Sequence, residues 1–212
     1  GMLYDNNAIP GGIDSYTALF DPAYRGKVAL DNGCLTALAD AALASGITDP
    51  LEMPDDQIDQ MKDKIRAAMA DGQFRTLAEG DSDMSNLFKS GEVILADGGR
   101  GTAEMINANG GNVTWVAPKE GTLTWMCGLG ISADAANVDA AYAFLDYYIS
   151  PRAQGAIGDL GYVITNPKGL PEVSAEFQKT ANPSDLEGTI PQFEPDNADV
   201  WRAAWQEIED GA

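Results

Sequence analysis

Apolar positions alternate with turn residues over most of this chain, and the spacing between them changes from segment to segment. Residues 8–26 are loop-rich, with Pro10-Gly11-Gly12, Asp21-Pro22 and Gly26. Lys27-Val28-Ala29-Leu30-Asp31 is a short apolar run between turn residues, the signature of a buried strand, and Asn32-Gly33 is a turn signal. Residues 35–45 are rich in Ala and Leu and predict a helix closed by Gly46. Residues 55–70 predict a second, because Ile58, Met61, Ile65 and Met69 make one stripe at helical spacing. Further strands are predicted at 74–78, 93–96, 113–116 and 129–131. Further helices are predicted at 84–91, 102–107, 138–149 and 151–160. Residues 163–198 read as proline-rich and mostly irregular. A last helix, 198–210, carries Trp201 and Trp205 one turn apart, the spacing of a helix packed onto the body.

Strands that alternate with helices imply an α/β layered fold with a mainly parallel sheet. In such folds ligands sit beyond the carboxyl ends of the strands. The loops after Asp31, Ala96 and Val116 are therefore the places to look for function.

Composition narrows the function. The 212 residues hold 13 Lys+Arg against 33 Asp+Glu, a formal net charge of −20. Phosphates are repelled by such a surface, so nucleic acid is not expected as a partner, and docking on an anionic membrane through a polybasic patch is equally disfavoured. No run approaches the roughly 18 apolar residues of a membrane span. The chain contains no histidine, which removes Ser-His-Asp and Cys-His catalysis and the usual zinc sites. No catalytic residue, metal site or cofactor is assigned. The opening Gly1-Met2-Leu3-Tyr4-Asp5 has neither the basic nor the apolar segment of a signal peptide, and a Gly before Met is what a protease leaves when it removes a tag.

Several motifs have plain readings. Gly98-Gly99-Arg100-Gly101 follows a strand and opens a helix, where backbone N–H groups can hold an anion. It is not a full nucleotide fingerprint, and a tight strand-to-helix turn explains it. Asp81 and Asp83 stand at a helix start, where carboxylates cap free N–H groups. Trp125 lies in a loop, either as core or as a stacking face for a cation.

The order of segments resembles a known family. Phe20-Asp21-Pro22-Ala23-Tyr24-Arg25-Gly26-Lys27-Val28, Ser90-Gly91-Glu92-Val93, Pro118-Lys119-Glu120-Gly121 with Trp125-Met126, and Leu160-Gly161-Tyr162 with Asn166 match motifs of extracellular solute-binding proteins. Together they resemble the spermidine/putrescine-binding proteins of ABC importers. The resemblance implies a periplasmic-binding-protein-like type II fold: a three-layer α/β/α lobe at 17–128, complete in itself. Residues 129–212 would be a helical return segment of the other lobe, most of which is lacking. It implies a periplasmic protein that takes a small amine-bearing solute and serves an ABC permease. The apolar helices at 138–160 would lack their sheet, which implies a homo-oligomer or a missing half-lobe partner.

Carried over residue by residue, the resemblance makes Trp125 the face that stacks on a polyamine. Cys127 stands where the family has a carboxylate, and Asn32 and Leu35 stand where it has two acids. Asp97 takes an aromatic position and Tyr162 is kept. Asp196 or Asn197 would complete the site, and Asp31 and Asp97 would supply carboxylates from shifted positions. Cys34 and Cys127 would converge, making a disulfide geometrically possible; the alternative is two small buried thiols. Two other functions compete with solute binding. One is a degenerate paralogue or fragment acting as an interaction domain. The other is a small acidic hydrolase or transferase, which the missing histidine disfavours.

Overall fold

A computed structural model of the chain describes residues 1–211. Among the described residues there are seven strands and seven α-helices: β1 (Met2–Asp5), β2 (Val28–Asp31), α1 (Cys34–Leu43), α2 (Asp55–Ala70), β3 (Phe74–Ala78), α3 (Asp81–Ser90), β4 (Leu95–Asp97), α4 (Arg100–Ala108), β5 (Val113–Val116), β6 (Leu123–Thr124), α5 (Val138–Tyr148), α6 (Pro151–Gly158), β7 (Ile190–Pro191) and α7 (Ala198–Glu209). The chain divides into two units. One holds Gly1–Leu123 with Ile190–Ala212, the other Thr124–Thr189.

The first unit is built on a five-stranded sheet of order β3-β2-β4-β1-β5. β2 runs parallel to β3 and β4, while β1 is antiparallel to both of its neighbours, β4 and β5. Four strands thus point one way and β1 the other, as the mainly parallel expectation requires. Successive residues of a strand face opposite sides. Met2, Val28, Leu30 and Leu95 pack into a core with α1, α2 and α7. Leu3, Ala29 and Ala96 pack into a second core with α3 and α4. This is the three-layer α/β/α arrangement.

The helical stripe of α2 is buried at Ile58, Met61 and Ile65. The final helix is anchored as its spacing predicts, with Trp201 and Trp205 both buried. Lys62 on α2 bridges Asp59 and Glu207 and fixes α7 alongside.

The second unit has a small core of Ile164, Val173 and Ala181. Gln154 on α6 organises it. Its side-chain oxygen accepts from Thr165 N at 2.8 Å and Asn166 N at 3.3 Å, and its amide donates to Tyr148 O at 3.1 Å. Gly155 faces residue 172 so closely that a Cβ there would sit 2.4 Å from Glu172 Cβ. On α5 no residue is buried.

Some expectations are corrected. β1 was not foreseen, and it widens the first unit to the start of the chain. No strand forms at 129–131; those residues are half-buried or exposed and carry no ladder. The irregular stretch holds two 3₁₀ segments, Pro167–Glu172 and Pro183–Leu186. The division at residue 128 gives way to one at 123, and 190–212 belongs with the first unit, because α7 packs on α1 and α2.

Candidate functional site

The carboxyl ends of β2, β3 and β4 gather acids. Asp31 ends β2, Asp97 ends β4, and Glu79 and Asp81 follow β3. Asp31 is half-buried, and its pKa is raised by burial first, then by the negative charges of Asp81 and Glu79. An incoming cation would be stabilised beside these carboxylates by Coulomb attraction in reduced solvent. The surrounding acids are held in place. Asp81 Oδ1 accepts from Thr102 Oγ1 at 2.5 Å, Asp83 Oδ2 accepts from Glu79 N at 3.0 Å, and Glu79 Oε1 accepts from Asn32 Nδ2 at 2.6 Å.

Of the residues singled out from sequence, the structure brings Asp31, Asn32 and Asp97 together and gives two of them structural duties. Asp97 is fully buried, and its Oδ1 accepts from Asp31 N at 2.6 Å. It is enclosed within the protein and offers no carboxylate to a solute at the surface. Asn32 is occupied by Glu79 and by the Trp205 indole, whose N–H donates to Asn32 Oδ1 at 2.8 Å. Asp196 is exposed at the far end of α7, where Asn197 donates to Met53 O and Asp55 Oδ1. Eight helical residues from 197 to 205 span about 12 Å, so Asp196 stands away from Asn32. Trp125, Cys127 and Tyr162 belong to the second unit. All three are exposed, Trp125 by 60% and Tyr162 by 51%.

Glu79 and Asp81 were missed as site residues. Their signal was the apolar end of the run 74–78 followed at once by acids, and Asp81 had been assigned to capping. Asp83 accepts from the main-chain N–H of Glu79, ahead of the helix, and α3 has no side-chain cap. The two cysteines are free, Cys34 half-buried and Cys127 exposed, so neither the bridge nor a pair of buried thiols is present. Burial pushes the Cys34 thiol up.

The remaining motifs have structural explanations. A Cβ on Gly98 would lie 2.7 Å from Leu3 Cδ1, so the glycine permits a tight turn, and Arg100 stacks on the Trp115 ring at 4.4 Å. In the 118–121 loop, Lys119 N donates to Asp14 O at 2.8 Å. The Glu120 carboxylate accepts from Ser15 Oγ and from Tyr16 N, clamping that loop to residues 14–16. Among the described residues no three His, Cys, Asp or Glu side chains are grouped to hold a metal ion, and no helix is long and apolar enough to cross a membrane.

The first unit is a three-layer α/β unit, and in α/β proteins of this build ligands meet the carboxyl ends of the strands. The chain belongs to the bacterial extracellular solute-binding protein family, whose model matches residues 1–183. It is 29% identical over 143 residues to the putrescine-binding periplasmic protein of Escherichia coli, covering 61% of this chain and 39% of that protein. It is 25% identical over 162 residues to the spermidine/putrescine-binding periplasmic protein of the same organism, covering 74% and 44%. Among solved structures, the spermidine/putrescine ABC transporter substrate-binding protein of Streptococcus pneumoniae superposes with a TM-score of 0.79 at 17% identity, covering 100% of this chain and 66% of that one. A protein of A. tumefaciens B6 in complex with glucopine superposes with a TM-score of 0.71 at 18% identity, covering 99% and 67%. These likenesses show the fold. The chain spans less than half the length of the curated relatives named here.

Proposed function

We propose that this chain is part of the receptor of an ABC importer, and that it binds a small cationic or amine-bearing solute of the polyamine kind. The observation that carries the reading is Asp31, half-buried at the end of β2 and flanked by the charges of Glu79 and Asp81. An ammonium group needs a charged partner when water is excluded, and three carboxylates at one sheet end supply it. The relatives named above are periplasmic polyamine-binding proteins, which supports a periplasmic setting and an ABC permease as partner. The role is transport, and no catalytic step is assigned.

A second reading, an interaction or oligomerisation domain without solute binding, is favoured by α5, on which no residue is buried. Thermal unfolding with putrescine, spermidine and a neutral diol separates the two. A ligand that binds only the folded state raises the melting temperature by mass action. Solute binding predicts a rise with the amines alone that is lost in Asp31→Asn. No rise with any amine favours the interaction domain.

A further inference from the structure

Two carboxyl groups lie inside the first unit. Asp40, on α1, is 1% exposed, and Asp97, at the end of β4, is 0% exposed. Asp97 Oδ1 accepts from Asp31 N. The other three carboxyl oxygens, Asp40 Oδ1, Asp40 Oδ2 and Asp97 Oδ2, are buried without a hydrogen-bond partner, as is the Tyr16 hydroxyl. Two ionised carboxylates cannot share a dry interior cheaply, because each has lost its water and repels the other. One proton resolves both problems. The protonated carboxyl becomes a donor, its neighbour is the acceptor, and two of the three orphaned carboxyl oxygens are satisfied.

We propose that Asp40 and Asp97 hold one proton between them in the folded protein, forming a buried pH-sensitive latch between α1 and β4. The latch continues through the Asp97–Asp31 hydrogen bond to the end of β2, where the candidate solute site lies.

The surroundings agree. Burial pushes Asp40 up from 3.8 to about 7, opposed by the Gly1 amino group and by the neighbouring Tyr16 and Asp97 side chains, while the charge of Asp31 pushes it further up. Burial raises Asp97 well above the ordinary aspartate range, helped by the charges of Asp40 and Asp31 and opposed by the Asp31 N–H and the Gly1 amino group. That amino group is itself pushed down by burial first, with the charge of Arg100 adding to the fall and those of Asp40 and Asp97 opposing it. The Tyr16 hydroxyl is held firmly protonated, by burial first and then by the charges of Asp40, Asp97 and Glu120. The folded pKa exceeds the unfolded one, so the folded protein binds more protons. The latch's contribution is therefore complete below about pH 4 and is lost as pH rises from there through about 7.

Denaturant unfolding of the full chain, without solute, from pH 5 to pH 8.5 tests this against Asp40→Asn. The amide keeps the shape and needs no proton. One linked proton makes the unfolding equilibrium constant of the wild type, relative to the variant, rise by about tenfold per pH unit below about 7. A ratio independent of pH overturns the proposal. Should Asp40→Asn fail to fold, Asp97→Asn, which keeps the acceptor for Asp31 N, takes its place. Infrared spectra of the wild type give a check that needs no variant. A protonated carboxyl C=O band is expected at pD 6, where exposed carboxyls are ionised, and its absence overturns the latch. Neither readout involves an amine, so failure here is distinct from failure of the solute-binding reading.

Discussion

The indole N–H of Trp205 donates to Asn32 Oδ1 at 2.8 Å, tying the last helix to the turn after β2. Trp205 is only 6% exposed. Removing the acceptor leaves a buried donor unpaired, so Asn32→Ala is expected to destabilise the first unit by about 1–3 kcal/mol. Urea unfolding monitored by tryptophan fluorescence measures the loss. An unchanged midpoint would mean that water replaces the bond at no cost.

Gln154 plays the corresponding part in the second unit. Gln154→Ala strips the partner from Thr165 N and Tyr148 O together. A loss of about 2–4 kcal/mol in that unit is expected from two unsatisfied backbone groups. Hydrogen exchange should then quicken over residues 148–181 while the sheet of the first unit keeps its protection.

If an amine binds, Trp125 should report it. An ammonium chain over an indole face gains about 1–2 kcal/mol where water is excluded. Trp125→Ala is therefore expected to weaken binding about tenfold, as read by calorimetry with putrescine. An unchanged affinity would place the solute away from this tryptophan.

Helix α5 presents Val138, Tyr142, Phe144, Tyr147 and Tyr148 to solvent. So much apolar surface on one short helix is expected to serve as an interaction face. Light scattering at micromolar concentration is expected to give a mass above 22.4 kDa. Replacing Tyr142 and Tyr147 by Ser should lower it, and a single species of monomer mass in the wild type would contradict the expectation.

The sequence was most legible where an element is amphipathic and long enough to show a period. The stripe of α2 and the Trp201–Trp205 spacing of α7 gave both element and buried face. β1 was illegible because four residues at the chain's opening show no period of their own. Its strand character comes from β4 and β5, which clamp it from either side. Leu129-Gly130-Ile131 looked like a strand by composition, but no neighbouring strand pairs with it. In the candidate site, Asp31 was visible as an acid closing an apolar run. The burial of Asp97 was not, because an acid after a strand reads as a loop residue unless the helix that covers it is known. Asn32 was misjudged for a similar reason: its partner Trp205 lies 173 residues away.

The placement of β1 also governs how the chain can fold. Every strand with which Met2–Asp5 pairs lies more than 90 residues further along the chain. β5 joins the sheet only through β1. Met2–Asp5 can therefore pair only once β4 and β5 have been made, and α7 docks on α2 across a similarly long separation along the chain. Pairings over such separations close large loops before they return any stabilisation, which makes assembly slow compared with a bundle of local contacts. Closure of the sheet is consequently expected late in folding.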